Sequence, residues 1–382
     1  MEDRRISSQG MRVVAVSSEM LTPYGLGTDA CRDNLFAGQT AISKLNRFDT
    51  SAFQSNYAAT IEGLKYHQKD SLVMQMLTAL FGKSAPIPAD ADLIVATTKG
   101  EIDLLEKKIL QGQKHMFENS QAAFLEKVAL LAGVNTKGTL ISAACSSSAV
   151  GIARAAAMIR SGRSDCVLVV ACDSVTEFVY SGFSSLMALE KISAMPFDKN
   201  RSGLSLGEAA AFVLLMSEQR AGKEKREPLG EVLGWGLSDD ANHMTGPSRQ
   251  SEGLIMAIGK ALSSARASES EVGFISAHGT GTVYNDAMEM RAFNSVFKDK
   301  KIPVYSIKGG IGHTMGAAGL VEMIIALKVL REGKIPPTVN LKEADTEAEG
   351  WVSTEYRLIQ KNSVALMTNA GFGGINSALA LA

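Results

Sequence analysis

Little in this sequence points away from a soluble globular protein, and what it lacks is informative. Only four cysteines occur in 382 residues, Cys31, Cys145, Cys166 and Cys172, with no CxxC pair and no His/Cys cluster at zinc spacing. That pattern excludes a disulfide framework and a structural zinc site, and free thiols in a reducing cytoplasm are the expected setting. Charge of one sign is also missing, since 39 Lys and Arg stand against 40 Asp and Glu. No global field is available to recruit nucleic acid or an anionic membrane, so a charged partner must be met by a local patch. Long apolar runs are absent too. The opening "MEDRRISSQGMRVVAVSSEM" is too interrupted for a signal or membrane helix. Residues 1–10 read as a leader outside the fold.

What is present fits a large α/β architecture. Hydrophobic residues make up 46% and charged residues 21%, the usual soluble mix, in a chain long enough to assemble one fold from two halves. Short β-branched runs such as "RVVAVSS", "DLIVATT", "DCVLVVAC", "AAAFVLLMS", "GFISAHG" and "SVALMTNAG" read as buried strands, and Ala/Leu/Met patterns such as "SLVMQMLTALFG" read as the helices between them. The alternation predicts an α/β fold with both sheet faces covered. Two segments share one design: "GTLISAACSSSAVGIARAAAMIRSG" and "IPVYSIKGGIGHTMGAAGLVEMIIALKVLREG" each run strand, small-residue elbow, helix, glycine stop. We read this as a duplicated α/β unit, with halves at residues 11–240 and 241–382 and the polar "RAGKEKREPLGE" shortly before the boundary.

The candidate chemistry sits at the elbows. A lone cysteine in apolar surroundings is usually packing, and Cys166 and Cys172 fit that description. Cys145 differs because a strand hands over to a helix there, and unpaired N–H groups at a helix start favour a thiolate and an oxyanion. His278 follows "GFISA" and precedes the turn carrying Thr280 and Thr282; a capped turn and a site residue are the alternatives. His313 occupies the second elbow, where Gly310, Gly312 and Gly316 also allow a dinucleotide cradle. That alternative lacks the acidic ribose ligand about 20 residues on, because the following "EMIIALKVLREG" is still helical. Lys308 just before these glycines suits a charged site, and Glu322 lies in the next helix as either a partner or a solvated position. Phe372, between Gly371 and Gly373, reads as a buried corner aromatic or as a gate with glycine hinges.

Taken together, "AACSSSAVGIARA", "PFDKNRSGLSLGEAAAFVLL", "DDANHMTGP", "AHGTGTVYNDAMEM", "KGGIGHTMGAAGLVE" and "NAGFGGINSAL", after "MLTPYGLGTDACRDNLFAGQTAI", resemble the β-ketoacyl synthases. These are condensing enzymes of thiolase-like fold, and the likeness is to the branch with a Cys-His-His triad. The resemblance implies duplicated halves in a five-layered αβαβα arrangement, and decarboxylative Claisen condensation of an acyl thioester with a malonyl thioester on acyl carrier protein. It implies Cys145 as the acyl-accepting nucleophile, His278 and His313 as the histidines acting on the extender, and Lys308 with Glu322 as a supporting charged pair. Phe372 matches the gate, and Thr280, Thr282 and Thr245 match the threonines that bind phosphopantetheine. No metal or cofactor is implied. The expected partners are acyl carrier protein and a second copy in a dimer, with a heterodimer as the variant. A non-catalytic chain-length partner subunit is the alternative, against which the three triad residues argue.

The sequence also departs from the family. Residues 100–140 look short, "GEAAA" replaces GEGAG around Glu208, "VYND" stands where a proline is common, and Ala370 replaces an aromatic. These departures point to a specialised synthase for polyketides or polyenes. For carrier docking, Lys199 with Arg201, or Lys298, Lys300 and Lys301, are the candidate basic patches.

Overall fold

The computed structural model describes residues 11–66, 69–113, 121–298, 300–360 and 363–382. Among the described residues its central sheet has eleven strands, two sets of five and the short Gly25–Leu26 strand that pairs with Leu21 and Thr22. The first set is β1 (Val13–Thr22), β2 (Asp92–Ala96), β3 (Thr139–Ile141), β4 (Cys166–Asp173) and β5 (Ala209–Ser217). The second is β6 (Gly230–Asp239), β7 (Val272–Ser276), β8 (Val304–Tyr305), β9 (Val364–Gly371) and β10 (Ile375–Leu381). From the join outward the order is β1-β5-β4-β2-β3 on one side and β6-β10-β9-β7-β8 on the other. In each set the three outer strands run parallel and the inner two antiparallel. The two halves therefore repeat one topology strand for strand. Within the sheet, among the described residues, they pair where Val14 and Ala15 meet Glu231 and Gly230. Because β6 opens the second repeat, the division falls inside the polar "RAGKEKREPLGE" connection itself and not near residue 240.

The helices complete the layers: α1 (Leu72–Phe81), α2 (Ile102–Leu110), α3 (Gln121–Ala132), α4 (Ser147–Arg160), α5 (Glu177–Ser185), α6 (Glu252–Ala265), α7 (Val283–Phe297) and α8 (Ala318–Glu332). Helices α4 and α8 touch strands of both sets and form the middle layer. Helix α8 is buried on nearly every side, as expected for a helix apolar all round. Helices α1 and α3 cover the outside of the first sheet, and α6 and α7 the outside of the second. Strand β4 shows why both faces are covered: Val167, Val169 and Ala171 point into the middle core while Cys166, Leu168, Val170 and Cys172 point into the outer one. Cys166 and Cys172 are packing, as read from sequence. The arrangement is the αβαβα sandwich of the thiolase-like fold. No described helix is long and apolar enough to cross a membrane.

Two strands escape sequence reading for one physical reason. Strand β6, "GEVLGWGLSD", carries glycines in place of β-branched residues because α6 lies directly on it. A Cβ on Gly236 would stand 1.9 Å from Ala257 O, and one on Gly234 would stand 2.4 Å from Ala265 N. Strand β10, "INSALAL", is similarly poor in β-branched residues and meets both α4 and α6.

Candidate active site

The duplicated topology brings both elbows to one point. After β3 the chain turns through Ala144, whose φ of 47° is a costly conformation for a residue with a Cβ, and Cys145 follows just before α4. Ser147 holds this turn: its Oγ accepts the Ala143 N–H at 2.8 Å and donates to Ala144 O at 2.6 Å. Small residues are required because the second half crosses here. Ser148 Oγ accepts the Leu320 N–H at 3.0 Å, and a Cβ on Gly319 would stand 3.0 Å from Ala149 N. The starts of α4 and α8 are thus stitched together.

His278 leaves the end of β7 with its backbone fixed. Its own N–H and that of Gly279 donate to the two oxygens of Glu289 at 2.8 and 2.7 Å. Its Nδ1 faces the Lys308 ammonium at 3.3 Å and the Asn369 amide nitrogen at 3.4 Å. Both neighbours are donors only at those atoms, so Nδ1 is the acceptor and Nε2 carries the proton. Lys308 also donates to His278 O and pairs with Glu322, whose second oxygen accepts from Asn369 Nδ2 at 2.6 Å. His313 is held by backbone pairing across the halves: its N–H donates to Ser205 O at 2.7 Å and its carbonyl accepts from Gly207 N at 3.0 Å. The two imidazole centroids are 5.1 Å apart with planes at 86°.

The electrostatics follow from burial. Desolvation drives both imidazoles well below their usual 6.5, helped by the Lys308 charge, so both rings are neutral near pH 7. Burial raises the Cys145 thiol to about 11, against the downward pull of Lys308, of Lys99 and of the Phe372 backbone N–H. Glu322 is raised by desolvation and drawn back by Lys308. Cys145, His278 and His313 line one cavity of about 400 Å³, together with Thr245, Thr280, Thr282, Ala370 and Phe372.

The sequence profile of the "Beta-ketoacyl synthase, N-terminal domain" matches residues 93–221, and that of the "Beta-ketoacyl synthase, C-terminal domain" matches residues 229–342. The chain belongs to the β-ketoacyl synthase family. A 3-oxoacyl-[acyl-carrier-protein] synthase 2 of Vibrio cholerae is 28% identical over 409 aligned residues, covering 96% of this chain and 98% of that protein. The tetracenomycin polyketide synthase ketoacyl synthase alpha subunit of Streptomyces glaucescens is 29% identical, covering 97% of each. Among solved structures, the ishigamide ketosynthase/chain length factor superposes with a TM-score of 0.88 at 27% identity, covering 97% of this chain and 99% of that one. A type II ketosynthase solved with its acyl-carrier protein superposes at 0.89 and 23% identity, a likeness of fold. This synthase is an acyltransferase of the condensing class.

The residues expected from sequence meet in this synthase as follows. Cys145, His278 and His313 share the cavity, and Lys308 and Glu322 form a buried pair beneath His278. Thr280 and Thr282 place their hydroxyls 2.9 Å apart on one wall, and Thr245 faces the cavity from the 240–247 loop. Phe372 lies beyond the end of β9, its ring 5.7 Å from that of Phe183, followed by Gly373 and Gly374 at φ of 92° and 88°. Glu208 of "GEAAA" is structural: it takes a bidentate bond from Arg47 and the N–H groups of Ile61 and Val175. Val283 takes the first helical position after the Thr282 cap, where a missing proline costs little.

The proposed basic patch needs correction. Arg201 is buried, donating to Asp198 O at 2.9 Å and pairing with Asp345, so it is not a docking residue. Lys199 pairs with Glu343, while Lys300 and Lys301 bond Ser270 O and Glu349 O. None of these residues, nor Lys298, lines the cavity. Of the short 100–140 stretch, residues 114–120 lie outside the described residues, as does the leader 1–10.

Sequence reading missed Asn369 and Glu289. Asn369 stands at the head of "NAGFGG", and a polar residue closing an apolar strand beside a glycine turn is the signal that could have found it. Glu289 accepts from His278, Gly279, Thr368 and Asn285, and burial lifts it to about 7. Its signal is the i, i+3 spacing with Asp286, which puts both carboxylates on the helix face towards the "AHGTGT" turn.

Proposed function

We propose that this synthase performs decarboxylative Claisen condensation with Cys145 as nucleophile and His278 and His313 as the groups that stabilise the extender enolate. The observation that carries the reading is a buried thiol and two neutral imidazoles facing one cavity at the joined starts of α4 and α8. The Cys145 sulfur attacks the acyl thioester carbon, the bond to the carrier sulfur breaks, and the thiol proton leaves with the carrier thiol. We assign the tetrahedral oxyanion to the backbone N–H groups of Cys145 and Phe372. Malonyl thioester then loses carbon dioxide. The electron pair passes to the enolate oxygen, which accepts N–H bonds from the two imidazoles. The enolate carbon attacks the acyl-Cys145 carbonyl, the C–S bond breaks, and the thiolate regains a proton from solvent. Thiol, imidazoles and backbone amides suffice for each step, so the scheme calls on no metal or redox cofactor.

The donor on this reading is acyl carrier protein, whose arm passes Thr280, Thr282 and Thr245. The rim it meets is apolar: Leu186, Met187, Val283 and Tyr284 line the opening, with Met187 76% and Tyr284 69% exposed. Carrier docking through this rim is expected to be weakly salt-dependent. Met187→Asp and Tyr284→Asp are each expected to raise the KM for acyl-carrier protein about tenfold while leaving a short acyl thioester without carrier unaffected. The open edge of β3 is where we place the dimer contact, with a second copy or a related subunit. Four buried free cysteines fit a cytoplasmic setting.

Incubating purified protein with acyl- and malonyl-carrier protein tests the reading, with carbon dioxide and a 3-oxoacyl product expected. Absence of both would leave the non-catalytic partner subunit as the better account. The pH dependence should also split by step. With both imidazoles already neutral at pH 6.5, malonyl decarboxylation is expected to stay flat from there upward and to fall only well below it. Alkylation of Cys145 should instead rise about tenfold per pH unit below the thiol value of about 11. Stopped-flow alkylation and carbon dioxide release measured side by side check this.

A further inference from the structure

One buried amide beside His278 takes no part in the steps above. Asn369 is fully buried near the end of β9, where it pairs with Ser377 of β10 and its carbonyl accepts from Ser377 Oγ at 3.4 Å. Its neighbours in the strand have separate tasks: Thr368 Oγ1 donates to Glu289 at 2.9 Å, and Ala370 lines the cavity. The side chain of Asn369 is therefore carried by paired strand and not by the glycine turn that follows. Its Nδ2 has two neighbours, Glu322 Oε2 at 2.6 Å and His278 Nδ1 at 3.4 Å. The carboxylate decides which way round the amide sits. Turning it over would set the carbonyl oxygen against Glu322, oxygen to oxygen, so the nitrogen stays on this side and presents its second hydrogen to His278.

The other end of the amide shows that packing does not explain the residue. Asn369 Oδ1 is buried with no hydrogen-bond partner among the described residues, and it faces the start of α8, where a Cβ on Gly319 would stand 2.8 Å from it. A buried amide with an unpaired carbonyl costs stability, so Asn369 is not accounted for by its contribution to the core. At the ring, the second donor to Nδ1 is the Lys308 ammonium at 3.3 Å, whose hydrogens are divided among Nδ1, His278 O and Glu322. An amide nitrogen never accepts a hydrogen bond, so the Asn369 contact by itself excludes a proton on Nδ1. Glu322 thus reaches His278 by two routes, through Lys308 and through Asn369.

We propose that Asn369 is a positioning residue: oriented by Glu322, its amide holds His278 in the tautomer with the proton on Nε2, the form that can donate to the extender enolate. This rests on His278 stabilising that enolate. Asn369→Asp keeps the shape but puts a second carboxylate beside Glu322; the two share a proton between them, and the oxygen left facing Nδ1 accepts, drawing the ring proton to Nδ1. In the Cys145→Gln background, where decarboxylation is read without acylation, Asn369→Asp is expected to slow carbon dioxide release about 10²-fold, the cost of one donor to an oxyanion. Asn369→Ala, which leaves Lys308 in place, should slow it about tenfold. With Cys145 intact, acylation should fall far less than decarboxylation in both variants. The tautomer is read directly by nitrogen NMR of protein labelled at histidine, the His278 signals being those lost in His278→Asn. Wild type should show an unprotonated Nδ1 and a protonated Nε2, and Asn369→Asp the reverse. A wild-type His278 with its proton on Nδ1 would overturn the assignment even if neither variant folded. Equal losses of acylation and decarboxylation in Asn369→Asp, the pattern of a merely structural residue, would overturn it too. A Cys145→Gln parent that releases no carbon dioxide would instead overturn the enolate role of His278 on which the proposal rests, and the nitrogen shifts tell that failure from the others.

Discussion

Replacing Cys145 with glutamine is expected to reduce acylation and condensation by about 10⁴-fold or more, the usual cost of removing a covalent nucleophile. No other thiol can take over, because Cys31, Cys166 and Cys172 are buried away from the cavity. Decarboxylation is a different matter. The enolate-stabilising groups come from the second half of the fold and are held by their own bonds, so malonyl-carrier protein should still lose carbon dioxide in the Cys145→Gln variant. Acylation is followed by radiolabelled or mass-tagged acyl transfer and decarboxylation by carbon dioxide release. Condensation that persists in this variant would mean that the nucleophile lies elsewhere.

Lys308→Met is expected to have the second largest effect, and it acts on both stability and chemistry. Lys308 is only 1% exposed, and its ammonium serves Glu322, His278 O and His278 Nδ1 together. Removing it leaves Glu322 buried with Asn369 as its remaining partner, a loss of about 3–5 kcal/mol for an uncompensated buried charge. Removing it also deletes a donor that keeps the His278 proton on Nε2, so decarboxylation should drop by about 10²–10³-fold. The two consequences separate in a double variant. Lys308→Met with Glu322→Gln takes away the stranded charge and should recover much of the stability, as read from denaturant midpoints, without recovering decarboxylation. Recovery of both would reduce Lys308 to a packing residue.

Much of this architecture is legible in the sequence because the relevant signals are local. The elbow at Cys145 and the elbow at His313 each show a β-branched run, small residues and an Ala/Leu-rich helix, and the structure joins them through Ser148 and Leu320. Strands β6 and β10 were not legible because their glycines and alanines answer to helices packed on them, a tertiary demand with no strand-like signature. The partners of His278 were half-legible. Lys308 and Glu322 stand out as charges in apolar or glycine-rich segments, but Asn369 and Glu289 matter only through where β9 and α7 bring them. Arg201 shows the opposite failure: next to Lys199 it reads as a surface cation, yet the fold turns it inward onto Asp345. The apolar rim at Met187 and Tyr284 likewise has no sequence pattern, because its members come from two distant segments.

The central claim is that the thiol at the first elbow carries the acyl chain while the second half of the fold generates the attacking carbanion. Peptide mapping by mass spectrometry, after mixing the protein with an acyl-carrier protein alone and then adding malonyl-carrier protein, tests it most directly. The account predicts an acyl mass added to the peptide bearing Cys145 and to no other cysteine, discharged on addition of malonyl-carrier protein as the 3-oxoacyl product appears. An unmodified Cys145 peptide with product still formed, or an acyl-Cys145 that malonyl-carrier protein cannot discharge, would contradict it.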